Sequence, residues 1–121
     1  MFEEKMREFA KQNFVPIVRE KTSKLLVENV KKINPNSILE IGTAIGYSGI
    51  LMLKNCNAKL ITLEKDENMK NIALQNFETA NLQNRVDLIF GDCKEYIEKT
   101  PQKFDFIFLD GPKSQYVNYY P

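Results

Sequence analysis

The sequence has no histidine, and its 121 residues include only two cysteines, Cys56 and Cys93. Without histidine, a Ser-His-Asp triad has no base. With no C-x-x-C pair, a zinc centre has no ligand set. The cysteines therefore read as reduced thiols of a cytoplasmic protein. No apolar run reaches 18 residues, so no membrane-spanning helix is expected. The opening stretch MFEEKMREFAKQ is charged and amphipathic and lacks the apolar region of a signal peptide. A formal net charge of +1 gives no electrostatic footprint for nucleic acid or membrane, although RNA as a substrate is not excluded by it. The length suits a single domain with one modest core.

Two nucleotide-binding signatures are also missing. The stretch Ser37–Ile50, SILEIGTAIGYSGI, places glycines at 42, 46 and 49 and alanine at 44. The G-x-G-x-x-G spacing that brings backbone against a pyrophosphate is absent, which argues against an NAD enzyme. No Gly-Lys-Ser/Thr follows, which excludes a P-loop. What remains is a short apolar strand, a glycine turn and a helix start with almost no spare residues. Gly42 allows positive φ or close ligand approach, and Ser48 with nearby amides can offer donors at the helix start.

Around this stretch the chain reads as one α/β domain. Phe2, Met6, Phe9 and Ala10 predict a short amphipathic helix over 2–12, ended by Val15-Pro16. Thr22 or Ser23 is expected to cap a second helix, with Leu25, Leu26, Asn29, Val30 and Ile33 on its buried face. Asn34-Pro35-Asn36 ends it, so that N-terminal helices occupy residues 1–34. Lys21, Lys24, Lys31 and Lys32 form a solvated face or, alternatively, an RNA-facing patch. Strands are expected at 38–41, 59–63, 85–90 and 104–109. Helices are expected at 47–55, after the N-cap Asp66, and from Asp92 to about Lys99, the last with an Asp92/Glu95 capping box. Alternating strands and helices imply parallel β-α-β units with right-handed crossovers.

Each expected strand ends in a glycine turn or a carboxylate: Gly42, Glu64, Gly91-Asp92 and Asp110. Ligands of open α/β sheets bind outside such ends. Glu64, 22 positions after Gly42, suits a carboxylate accepting from both hydroxyls of a ribose. Asp92 can accept from an adenine amino group or simply cap its helix. A ribose carboxylate without the dinucleotide glycines favours S-adenosylmethionine over NAD. Asp110 can bind Mg²⁺, which takes oxygen ligands, and Lys113 three residues on can act as a base if its pKa is lowered.

EIGTAIGYS, TLEKD, FGDC and FIFLDGPKSQY together resemble the successive motifs of the class I, metal-dependent O-methyltransferases related to catechol and caffeoyl-CoA O-methyltransferases. NFVPI and K-x-Q-Y are similar to the bacterial branch that methylates 5-hydroxyuridine at the tRNA wobble position. The resemblance implies a Rossmann-like α/β fold with strand order 3-2-1-4 and an S-adenosylmethionine site lined by Val18, Glu40, Gly42, Tyr47, Ser48, Glu64, Gly91, Asp92, Cys93 and Asp110. It further implies Asp110 as the first metal ligand and a match of Lys113 to the catalytic lysine. A homodimer and tRNA as partner, or a small catechol-like phenol as the alternative acceptor, follow from the same resemblance. Family members continue past this point with further strands and an Asp-Asn pair. The chain is therefore expected to be a fragment lacking strands five to seven. Such a fragment could also be an inactive cofactor-binding module.

Overall fold

The computed structural model describes residues 4–8, 20–99 and 103–109. Residues 4–8 are helical, within the helix expected over 2–12. Then follow α1 (Glu20–Ile33), β1 (Ser37–Ile41), α2 (Tyr47–Leu53), β2 (Lys59–Glu64), α3 (Glu67–Thr79), a 3₁₀ turn (Gln83–Arg85), β3 (Val86–Phe90), α4 (Cys93–Lys99) and β4 (Phe106–Leu109). The four strands form one parallel sheet in the order β3-β2-β1-β4, parallel as the alternating elements predict and in the order that the family resemblance implies.

Register fixes where the strands stop. Ile41 pairs with Leu63 and with Leu109, and Glu64 pairs with Phe90. The carboxyl ends of all four strands therefore share one edge of the sheet. Side chains alternate across the pleat. Ile38 and Leu60 face a core built with Leu26 and Val30 of α1, Ile50, Met52 and Leu53 of α2, and Ala73 and Phe77 of α3. Leu39, Ile41 and Leu63 face the other way, where Ile61, Ile89 and Leu109 join them with Tyr96 of α4. Helices thus lie on both faces, which is the usual requirement of a parallel sheet.

Local chemistry explains most of the element ends. Asp66 caps α3 by accepting from the amides of Asn68 (2.9 Å) and Met69 (3.2 Å). Asn34, at φ 49°, ends α1 in the left-handed conformation that asparagine tolerates. The half-buried Arg85 donates to three carbonyls at once: Leu53 (3.0 Å), Cys56 (2.8 Å) and Ala58 (3.1 Å). That fork closes the carboxyl end of α2 and the turn into β2.

Three expectations are corrected. The buried stripe of α1 is Ser23, Leu26 and Val30, while Leu25 and Ile33 are 55% and 50% exposed. Positions three and four apart share a helix face; Leu25 falls off that line, while Ile33 lies on it but is the last residue of the helix. Ser23 lies inside α1 rather than at its cap, because its hydroxyl is drawn to Arg7 and Tyr47. The capping box at α4 is only half formed. Asp92 accepts from the Lys94 amide (2.9 Å), but Glu95 turns outward to Lys99 (2.7 Å). That contact holds the Lys99 ammonium above its usual range, yet both side chains are exposed and the pair adds little stability.

Candidate functional site

The loop after β1 turns sharply. Gly42 and Gly46 have φ of 94° and 90°, and Ala44 between them sits at 49°. A non-glycine residue there costs about 1 kcal/mol or more, so the loop must be held by its surroundings. Three consecutive residues of β2 hold it. The Leu63 carbonyl accepts from the amides of Gly42 (3.0 Å) and Thr43 (3.1 Å). Glu64 Oε1 accepts from the Ala44 amide at 2.7 Å. The Thr62 hydroxyl lies 2.6 Å from that of Thr43. From α3, Asn76 Nδ2 donates to the Ile45 carbonyl at 2.8 Å.

Close helix-to-sheet packing completes the turn. A Cβ on Gly49 would stand 2.9 Å from Leu60 Cδ2 and 3.2 Å from both Glu40 Oε1 and Phe77 Cζ. Only glycine lets α2 approach β1 and β2 this closely. Among the described residues, a Cβ on Gly91, at the end of β3, would meet nothing within 4 Å, so the described sheet edge is open beside it.

Glu64 is the outstanding group at the edge. It is half-buried at the carboxyl end of β2, with one oxygen on the Ala44 amide and the other on the Asp66 amide (3.0 Å). A carboxylate has about four acceptor positions, so beyond its partners among the described residues each oxygen has capacity for one further donor. Two oxygens oriented in this way can receive two adjacent hydroxyl groups. Gly91 lies directly alongside, its amide donating to the Glu64 carbonyl at 3.0 Å, and the exposed Asp92 follows.

The site residues expected from the sequence divide into four groups. Gly42, Glu64, Gly91 and Asp92 come together at the carboxyl edge, where Cys93 opens α4. Glu40 and Ser48 come together one layer below. Glu40 is fully buried, and its carboxylate accepts from the hydroxyls of Ser48 and of Thr62 (2.8 Å). Tyr47 is separate. Its ring is buried under the Arg7 guanidinium, 4.8 Å from the ring centroid, and its hydroxyl accepts from Arg7 Nε (3.1 Å) and Ser23 (3.4 Å). Val18, Asp110 and Lys113 lie outside the described residues.

Thr43, Thr62 and Asn76 are the residues that sequence reasoning passed over. A signal existed for one of them. Thr62 and Glu40 are register partners on the sheet face that otherwise carries Ile38 and Leu60. Two polar residues side by side on an apolar face indicate a buried hydrogen bond.

A profile described as O-methyltransferase matches residues 1–121. A catechol O-methyltransferase of Niastella koreensis is 36% identical over 90 residues, covering 69% of this chain and 41% of that protein. A catechol O-methyltransferase of Sus scrofa is 32% identical over 95 residues, covering 73% of this chain and 51% of that protein. Among solved structures, the O-methyltransferase from Bacillus cereus in complex with SAH superposes with a TM-score of 0.87 at 30% identity, over 98% of this chain and 58% of that one. The chain spans about half the length of the relatives it matches.

Proposed function

The chain belongs to this O-methyltransferase family, and on that premise we propose that the protein transfers a methyl group from S-adenosylmethionine to a hydroxyl of a small catechol-type acceptor. The observation that carries the cofactor half is Glu64, a strand-end carboxylate whose two oxygens are each oriented by an amide. The SAH bound by the Bacillus cereus relative supports the same reading.

S-adenosylmethionine, when bound, supplies a methyl group on an electrophilic sulfonium centre. The chain's own residues bind and orient. Glu64 accepts from the two ribose hydroxyls, and a charge-assisted pair of this kind is stronger than one between neutral groups. Gly91 and Asp92 flank the adenine, with Cys93 beside them. Gly42 keeps the loop backbone close to the ligand. Glu40 and Ser48 act from behind the loop as positioning residues, because their polar atoms face each other. Tyr47 ties the start of α2 to the N-terminal helical segment. Val18 completes the cofactor wall on the family pattern.

Among the described residues no group of three or more His, Cys, Asp or Glu could hold a metal ion. Mg²⁺ on Asp110, with Lys113 as the base, extends the proposal on the family pattern. The acceptor follows the matched relatives, which are named as catechol O-methyltransferases. Those names support a small phenol over the tRNA wobble 5-hydroxyuridine expected from NFVPI and K-x-Q-Y.

Labelled S-adenosylmethionine offered with catechol, or with tRNA carrying 5-hydroxyuridine, at equal donor and Mg²⁺, tests this. Methylation of catechol is expected. Methylation of the tRNA alone would overturn the acceptor, and transfer to neither by a chain that binds the donor would overturn the activity. Asp110→Asn should abolish Mg²⁺-dependent transfer while sparing donor binding, and unchanged turnover would sink the metal role.

A further inference from the structure

Beneath the loop runs a chain of buried hydroxyl groups. Thr62, Thr43 and Glu40 are 0%, 1% and 0% exposed, and Ser48 is 4% exposed. Thr62 has one hydroxyl proton, and it goes to Glu40 Oε1 at 2.8 Å. The 2.6 Å contact between the threonines must therefore use the proton of Thr43. The direction is fixed: Thr43 donates to Thr62, Thr62 donates to Glu40, and Ser48 donates to Glu40 from the other side. One buried carboxylate thus joins β1, β2, the glycine loop and the first turn of α2.

We propose that Thr62 is a positioning residue for the cofactor loop, holding Thr43, and through it the Ala44 amide that orients Glu64, in the binding-competent shape. The inference rests on the cofactor reading of Glu64 given above. Thr62 touches no ligand in this scheme. It acts because the loop carries strained backbone at Ala44 and, besides the buried Ile45 side chain, its described hydrogen bonds to other elements come from β2 and Asn76. Removing the Thr62 hydroxyl takes the acceptor from Thr43 and a donor from a buried carboxylate together. An unsatisfied buried group of this kind is costly, and the nearest way to relieve it is movement of the loop.

The test compares the 121-residue chain with Thr62→Val, which keeps the shape and loses the hydroxyl, and Thr62→Ser, which keeps the hydroxyl. Amide hydrogen exchange and S-adenosylhomocysteine titration are both measured. Thr62→Val should speed exchange at residues 42–48 by about tenfold or more, leave α3 unchanged, and weaken the ligand about tenfold, with Thr62→Ser restoring both. Wild-type exchange in the valine variant would overturn the inference. So would acceleration spread evenly over the sheet, or failure of serine to restore the loop. If the wild-type chain takes up no S-adenosylhomocysteine while valine still loosens residues 42–48, the cofactor reading fails and the clamp stands. If binding is present and indifferent to valine, the cofactor reading stands and the inference falls.

Discussion

Gly49 occupies a place where a methyl group would force its neighbours to shift. Its would-be Cβ meets the Leu60 side chain at 2.9 Å and is hemmed by Glu40 and Phe77. Gly49→Ala should therefore cost about 1–3 kcal/mol, the usual penalty for overpacking, read as a lower urea midpoint at constant slope. An alanine variant as stable as the parent would mean that α2 can move outward freely. Tyr47 shows why a residue's role is harder to read than its burial. The resemblance places it along the cofactor site, beside the glycine loop, and its side chain is buried there. Nothing local says that its hydroxyl turns toward Arg7 and Ser23, which are 40 and 24 positions away. Tyr47→Phe should lose about 1 kcal/mol of stability and leave S-adenosylhomocysteine affinity unchanged. A large loss of affinity without loss of stability would instead return Tyr47 to the cofactor wall.

At the scale of elements, strands were more legible than helix faces. A strand needs only an apolar run and a stop, and the glycines, carboxylates and caps mark the stops. Asp66 caps α3 as its position suggests. In α1 the five residues Leu25, Leu26, Asn29, Val30 and Ile33 span too wide an arc for one stripe, and only Leu26 and Val30 of them, with Ser23, reach the core. The apolar pattern puts Arg85 at the start of β3, whereas it ends the 3₁₀ turn before it; charge alone does not reveal three distant carbonyl partners. Its fork makes a prediction for α2. Arg85→Met keeps the apolar stem and removes the donors to Leu53, Cys56 and Ala58. About 2 kcal/mol of stability should be lost, as for hydrogen bonds from a charged group. A loss below about 0.5 kcal/mol, the size typical of an indifferent surface change, would show that water serves those carbonyls equally well.

For the whole molecule, the order β3-β2-β1-β4 and its parallel register bring residues far apart in sequence to one edge. That convergence was readable, because every expected strand ended in glycine or a carboxylate. The layer beneath it was less so: strand order alone does not pair Thr62 with Glu40, which takes the residue register, nor does it bring the loop residue Thr43 onto Thr62. Among the described residues β3 and β4 are the two edges of the sheet, and no described helix is long and apolar enough to cross a membrane. The cofactor site does not need the far edge to be tested, because Gly42, Glu64 and Gly91 all lie on the described side. Calorimetric titration of the chain with S-adenosylhomocysteine, alongside Glu64→Ala, measures it directly. The account predicts saturable binding by the parent chain and at least a tenfold loss in the variant, equivalent to about 1.4 kcal/mol or more. Equal affinity in both, or no binding by a parent chain shown to be folded, would contradict it.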